Sequence, residues 1–124
     1  MLFRSYQVYG IKNCNTVKKG LDWLDHNQIE YEFLDVKKNV LDKNLLNTWM
    51  KNLPANLRWE QLINKAGITW RQLSEEDKLS AENTQGAIQL ILKKPSVMKR
   101  PVITQNNQVI SIGYDDTHFK ENFL

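Results

Sequence analysis

Apolar and polar residues change their spacing early in the chain, from the alternation of a strand to the period of a helix. Residues 6–9 are rich in types that suit a pleated surface, and they predict a short strand. Val17, Leu21 and Leu24 then recur at helical spacing, and Trp23 widens the apolar face of that helix. The pattern therefore predicts a strand followed directly by a helix.

A second strand is predicted over residues 30–36, where Tyr31 and Phe33 alternate with glutamates, so that one face is half exposed. Asn27 and Gln28 separate this strand from the helix before it. A strand, a helix and a strand at this spacing predict a parallel βαβ unit with a right-handed crossover.

Several short helices are predicted in the middle of the chain from caps, apolar spacing and proline stops. Their predicted starts and stops are Asp42 to Leu53, Trp59 to near Gly67, Ser74 to Leu79, and Thr84 to Pro95. Their predicted apolar positions are Leu45, Leu46, Trp49, Leu53, Trp59, Leu62, Ile63, Ala87, Ile88, Ile91 and Leu92. Residues 68–73 break the helical pattern and predict a connecting turn.

A hairpin is predicted near the C-terminus. The apolar segments 102–104 and 109–112 flank Asn106 and Asn107, and asparagine tolerates the positive φ that tight hairpin turns require. Each segment is therefore predicted to be a strand.

A last helix is predicted after Gly113, capped by Asp115 or Asp116 and carrying Phe119 and Phe123. The element order is then βαβ, a helical block, a β-hairpin and a helix. That order predicts an α/β fold with a mixed four-stranded sheet, as in thioredoxin-like folds.

Composition narrows the class of protein. With 124 residues and 41% hydrophobic content, the chain is predicted to form a single domain, residues 1–124, with a real core. No segment approaches the roughly 20 apolar residues of a membrane span. Residues 1–5 lead into strand-like sequence without a secretory pattern, and one cysteine excludes an internal disulfide. We expect a cytosolic, monomeric protein.

The distribution of charge argues against direct binding of nucleic acid, and the positions of the histidines argue against a metal site. The net charge is only +3, and the lysines are scattered among acidic residues, as on a solvated surface. His26 and His118 are predicted to lie on helix surfaces, and two distant histidines with one cysteine make a poor metal site.

Cys14 falls where the first strand gives way to the first helix, in the last loop residues or the first helical turn. The free N–H groups and the macrodipole there favour a thiolate. Lowering a thiol pKa from about 8.5 to about 6 needs about 3.4 kcal/mol, whereas a helix terminus supplies about 0.3–1 kcal/mol. Lys12 and Lys18 are the local cations that could add the rest. The alternative is a buried cysteine that acts as a small hydrophobe.

Two arginines are candidates for binding an anion. Arg71 follows Trp70 in the predicted turn, where a surface arginine stacked on tryptophan is the alternative interpretation. Arg100 precedes Pro101 at the start of a strand, a position that suits a residue without an amide proton. From the residues alone, the Pro101 peptide bond could be trans or cis.

Three segments, 9–14, 67–71 and 99–102, resemble in order the arsenate reductase (ArsC)-like family, which includes Spx-type regulators and YffB-type proteins. The chain looks most like the YffB type, and the resemblance covers nearly its whole length. No single motif is diagnostic, but three in order are fairly specific. The resemblance implies a thioredoxin-like core, about 1–40 and 95–124, with a helical insertion at about 41–94.

The resemblance also implies roles for individual residues. Cys14 would be the redox-active nucleophile, while Arg71 and Arg100 would bind an oxyanion or stabilise the thiolate. Pro101 would be cis and face Cys14. Apart from the resemblance, we expect Lys12, Asn13 and Lys18, together with Pro101, to line the binding site for the co-substrate.

Two departures from the family's patterns bear on function. Family reductases of arsenate carry a further arginine after the hairpin, and residues 111–116 contain none. Spx-type regulators usually carry a CxxC switch, and Val17 stands at its second position.

We therefore expect a single-cysteine thiol oxidoreductase that has no bound cofactor and uses glutathione as co-substrate. Its substrate would be a small thiol compound or oxyanion. The alternatives are an Spx-like regulator that binds RNA polymerase without catalysis, an arsenate reductase, or a family member whose chemistry has lapsed.

Overall fold

A mixed four-stranded sheet organises the chain in the computed structural model, which describes residues 5–124. The strands are β1 (Tyr6–Gly10), β2 (Tyr31–Asp35), β3 (Val102–Gln105) and β4 (Gln108–Ile112). In the order β2-β1-β3-β4, β1 pairs in parallel with β2 and antiparallel with β3, and β4 is antiparallel to β3. The predicted α/β fold with a mixed sheet is confirmed. Residues 1–4, for which the sequence predicted entry into the first strand without a leader, lie outside the described residues.

Six α-helices are present in residues 5–124. They are α1 (Asn15–His26), α2 (Lys43–Lys51), α3 (Ile68–Arg71), α4 (Glu75–Ser80), α5 (Thr84–Lys93) and α6 (Asp116–Phe123). Two 3₁₀ turns occur at Trp59–Leu62 and Pro95–Val97. No helix in the described part of the chain is long and apolar enough to span a membrane.

The sheet separates two apolar clusters because neighbouring residues of a strand point to opposite faces. Val8 packs on one face with Leu24 of α1 and Phe119 of α6. Tyr9 packs on the other face, where its ring meets Trp49 of α2 edge to face with centroids 4.8 Å apart. Helices α1 and α6 therefore cover one face, and the helices between β2 and β3 supply the cover of the other.

Three predictions for the middle of the chain were wrong in detail. Residues 68–71 form the short helix α3, closed by a bond from the Arg71 N–H to the Gly67 carbonyl of 3.3 Å. The residues near Trp59 form a 3₁₀ turn, since Ile63 leaves the helical region to bridge Met98. Leu53 lies beyond α2, although it still packs on the core.

Helix α5 differs from the prediction at its cap and in its buried face. Asn83, not Thr84, is the cap, because its extended backbone lets its side-chain oxygen accept the Gly86 N–H at 2.8 Å. Leu92 is 37% exposed, whereas Leu90 is buried beside Ile91. The buried face of α5 is therefore turned about the helix axis relative to the predicted face. The packing of α5 against its neighbours sets this orientation, which apolar spacing alone did not define.

The predicted turn and helix cap near the C-terminus are confirmed. Asn106 and Asn107 have φ values of 55° and 63° and make the tight turn between β3 and β4. Asp115 caps α6, and its carboxylate accepts the His118 N–H at 3.0 Å.

The contact between Gly86 and Ser80 provides a test of the packing of α4 against α5. A Cβ at position 86 would lie 1.6 Å from the Ser80 carbonyl oxygen, a backbone atom that cannot move aside cheaply. Gly86→Ala should therefore lower the free energy of unfolding by about 3 kcal/mol or more. Gly20→Ala is the control, since its Cβ would meet side chains at 3.4 Å or more, and it should gain up to about 1 kcal/mol of helix stability. Urea unfolding of both variants would measure this difference, and equal stabilities would contradict the packing described.

Candidate active site

Cys14 is the N-cap residue of α1. Its backbone is extended, with φ −109° and ψ 121°, and its carbonyl accepts the first helical bond from the Lys18 N–H at 3.0 Å. The side chain is half-buried. This is the boundary position that the sequence predicted, and it sets the sulfur beside the unpaired N–H groups of the first helical turn.

Arg100 is held in place by backbone carbonyls of the segment before it. Its Nη1 donates to the Ser96 carbonyl at 2.7 Å and to the Met98 carbonyl at 3.0 Å. Its Nε is buried and has no hydrogen-bond partner within residues 5–124. The guanidinium is therefore fixed through its Nη1.

The peptide bond between Arg100 and Pro101 is cis, as the resemblance implied. Pro101 packs against α1, where a Cβ on Gly20 would lie 3.4 Å from its Cγ. Its carbonyl accepts the Gly113 N–H at 2.8 Å. Pro101 is thus fixed between α1 and the end of β4.

The pKa of the Cys14 thiol is the balance of opposing effects. Burial raises the pKa and is the largest single effect. Against it act a hydrogen bond from the Val17 N–H, a hydrogen bond from Arg100, the positive charge of Arg100 and a hydrogen bond from the Thr16 N–H. Together these outweigh burial, so the pKa lies below the ordinary value of a cysteine. A lowered pKa makes the reactive thiolate more abundant near neutral pH.

The structure brings Arg100 to the thiol, whereas Arg71 does not contribute to the shift of the Cys14 pKa. Arg71 is exposed at the end of α3, its Nε lies 3.5 Å from the Gly67 carbonyl oxygen, and it is not among the groups that shift the pKa of Cys14. Helix α3 packs against the 3₁₀ turn Pro95–Val97, which carries one of the carbonyls that hold Arg100. Arg71 therefore borders the segment that positions Arg100.

The other predicted site residues surround the thiol in sequence and lie on the surface. Lys12, Asn13 and Lys18 are exposed, and neither lysine is among the groups that act on the Cys14 pKa. His26 and His118 are also exposed, and residues 5–124 contain no group of three side chains arranged to hold a metal.

Sequence reasoning missed the carbonyls of Ser96 and Met98, which orient Arg100. No residue type signals such a contact, because the acceptors are backbone atoms. The sequence did predict that N–H groups such as those of Thr16 and Val17 would be available to the thiol, since every helix leaves its first N–H groups unpaired.

A thioredoxin-like fold with a half-buried, acidified cysteine at the start of α1 defines the class of thiol oxidoreductases in general terms. The chain belongs to the ArsC family, whose model matches residues 9–122. The resemblance to this family is therefore confirmed over nearly the whole chain.

Several relatives match along most of their length. An uncharacterized protein of Haemophilus influenzae is 37% identical, over 94% of this chain and 96% of the relative. The solved structure of the YffB protein is 32% identical with a TM-score of 0.83, covering 97% of this chain and 100% of the other. An ArsC-related protein from Brucella melitensis is 39% identical with a TM-score of 0.72, covering 96% and 94%.

The likeness to a named arsenate reductase is one of fold alone. The arsenate reductase from Vibrio cholerae is 14% identical with a TM-score of 0.69, over 87% of this chain and 89% of that one. Its activity therefore does not transfer to this chain by similarity.

The role of Arg100 can be tested by alkylation. The rate of reaction of Cys14 with iodoacetamide should show a midpoint below that of a free thiol, about 8.5. Arg100→Ala should raise the midpoint and slow the reaction at pH 7 severalfold, because the thiolate loses a hydrogen bond and a neighbouring charge. Arg71→Ala is the matched control and should leave the midpoint unchanged. A midpoint that moves equally in both variants would contradict the geometry described.

The lowered pKa also predicts how stability depends on pH. The unfolded chain holds the Cys14 proton up to about pH 8.5, whereas the folded protein releases it at lower pH. The contribution of the thiolate to stability is therefore complete above about pH 8.5 and is lost as pH falls through the folded-state pKa. The free energy of unfolding of the wild type minus that of Cys14→Ser should rise with pH across this window. Serine can cap α1 better than cysteine, but that adds only a constant offset.

Proposed function

We propose that this protein is a cytosolic single-cysteine thiol reductase that uses glutathione as its reductant. One observation carries the proposal: the half-buried Cys14 thiol sits at a helix N-terminus beside Arg100, and its pKa is lowered. A thiolate in that setting is a nucleophile toward disulfide sulfur.

The reaction has two exchange steps. The Cys14 thiolate attacks one sulfur of a mixed disulfide between glutathione and a second thiol, forms an S–S bond to the glutathione sulfur and releases the second thiolate. The thiolate of a further glutathione then attacks the enzyme-bound glutathione sulfur, which frees the Cys14 thiolate and yields glutathione disulfide. The second thiol leaves reduced, and the glutathione unit of the substrate ends joined to one further glutathione as glutathione disulfide.

The need for an external thiol follows from composition. Cys14 is the single cysteine among 124 residues, so no second protein thiol can resolve the mixed disulfide within the chain. Glutathione suits the role because it also offers carboxylates. The Arg100 guanidinium, held by two backbone carbonyls beside Cys14, would interact with a carboxylate or with the reacting sulfur.

The residues around the thiol complete the proposed site. Arg71 stands at the border of the segment that holds Arg100, where it would meet the outer part of a bound anion. Lys12, Asn13 and Lys18 present exposed polar groups near Cys14 in sequence, and Pro101 fixes the start of β3. In this proposal they contact glutathione, with Cys14 and Arg100 as the catalytic residues.

The proposal predicts turnover that depends on Cys14. Purified protein with glutathione should reduce the mixed disulfide of glutathione and 2-mercaptoethanol, and mass spectrometry should find glutathione attached to Cys14 when free glutathione is withheld. Cys14→Ser should abolish both signals. Wild-type protein that reacts no faster than free glutathione would overturn the proposed activity.

Arsenate serves as a comparison substrate. Residues 111–116 carry no arginine to match the further one of family arsenate reductases, so glutathione-dependent arsenate reduction should be weak or absent. Arsenate turnover as fast as disulfide turnover would show that the further arginine is not required, and would favour an arsenate reductase.

A further inference from the structure

A cavity of about 270 Å³ lies beside the segment that leads to Arg100, and the proposed chemistry does not use it. It is lined by residues of the stretch after the first 3₁₀ turn, together with one residue before Arg100 and the end of β4. The residues used below are Ile63, Asn64, Lys65, Ala66, Lys99 and Ile112. We call it the lysine cavity.

Backbone hydrogen bonds fix the walls of the lysine cavity. The Asn64 N–H donates to the Val97 carbonyl at 2.8 Å, and the Lys99 N–H donates to the Leu62 carbonyl at 2.8 Å. Ile63 forms an isolated antiparallel bridge with Met98. Two segments that are distant in sequence are thus tied together, and main-chain hydrogen bonds set the spacing of two walls of the cavity.

Each lysine of the cavity has a defined neighbour. The ammonium of Lys65 lies 5.3 Å from the centroid of the Trp70 ring. The alkyl chain of Lys99 runs past Gly113, where a Cβ would lie 3.0 Å from the Lys99 Cε. Gly113 has φ +80°, so glycine both permits the turn and leaves room for this side chain.

The cavity has an excess of positive charge and donors. Within residues 5–124 neither Lys65 nor Lys99 forms an ion pair with a carboxylate. The side-chain oxygen of Asn64 accepts the Ala66 N–H at 3.3 Å, so the other half of the side chain is an amide donor. Ile63, Ala66 and Ile112 give the site apolar walls, which strengthen electrostatic attraction to a small anion.

We propose that the lysine cavity binds a carboxylate of the glutathione unit in the disulfide substrate. This inference rests on the proposed function, since it names the part of the molecule that selects the substrate. Lys99 directly precedes Arg100, and consecutive Cα atoms are about 3.8 Å apart. Glutathione carries its sulfur on the central residue, so its two carboxylates extend in opposite directions from a sulfur bound at Cys14, and one can be directed toward the segment that carries Lys99.

Single-turnover kinetics test the selection of substrate. The rate at which reduced protein forms its mixed disulfide is followed against the concentration of glutathione disulfide and, separately, of bis(2-hydroxyethyl) disulfide, which has no carboxylate. Lys65→Gln and Lys99→Gln should each raise the half-saturating concentration of glutathione disulfide about two- to fivefold, with the maximal rate and the alkylation midpoint of Cys14 unchanged. The neutral disulfide should be unaffected. Lys43→Gln, an exposed lysine on α2 outside the cavity, removes the same charge and should change nothing.

Direct binding separates this inference from the proposed activity. S-methylglutathione cannot exchange disulfides. When it is added, the amide NMR signals that shift should include those of Asn64, Ala66 and Lys99. The affinity for this probe should fall about tenfold in the double variant Lys65→Gln/Lys99→Gln. If the wild type binds this probe at the cavity but never reacts with disulfides, the proposed activity fails while the carboxylate site stands. If the cavity amides do not shift, or if Lys43→Gln weakens binding as much as the double variant, the inference is overturned.

Discussion

The antiparallel pairing of β1 with β3 is the contact on which the candidate site depends. It sets Tyr9 opposite Val102, so the loop that leaves β1 and the segment that enters β3 meet at one edge of the sheet. Cys14 belongs to the first and Arg100 to the second. Without that pairing, neither the helix N-terminus nor the guanidinium would have the other within reach.

The Arg100 side chain is oriented by backbone carbonyls. A long arginine side chain would lose conformational freedom on pairing with a thiolate, a cost that reduces the benefit of most exposed ion pairs. Here the carbonyls of Ser96 and Met98 already hold Arg100, so the guanidinium is oriented before any substrate arrives. Preorganisation of this kind stabilises the charged form of the sulfur without further rearrangement.

The helices between β2 and β3 contribute to the site as well as to the core. They cover one face of the sheet through Trp49 and Ile88, and they position the 3₁₀ turn Pro95–Val97 that holds Arg100. The segment after Trp59 also pairs with residues 97–99 and makes one wall of the lysine cavity. A region predicted as an insertion therefore lies next to both Arg100 and the lysine cavity.

The sequence by itself determined the order of the elements, because apolar periodicity, caps and turn residues are local signals. Asp42, Ser74 and Asp115 act as the caps that their residue types predicted, and Asn106 and Asn107 make the expected turn. The place of Cys14 at the start of α1 was predictable for the same reason. The family resemblance then indicated which distant residues to compare with it.

Only the tertiary structure decided which groups meet. Local spacing could not show that Arg100 contacts the thiol while Arg71 bonds to its own helix, because both depend on how separate segments pack. The tertiary structure also decided that Leu90 is buried and Leu92 is exposed, because the orientation of α5 about its axis depends on its packing against the core. The orientation of Arg100 rests on backbone carbonyls, and these carry no residue-specific signal in a sequence.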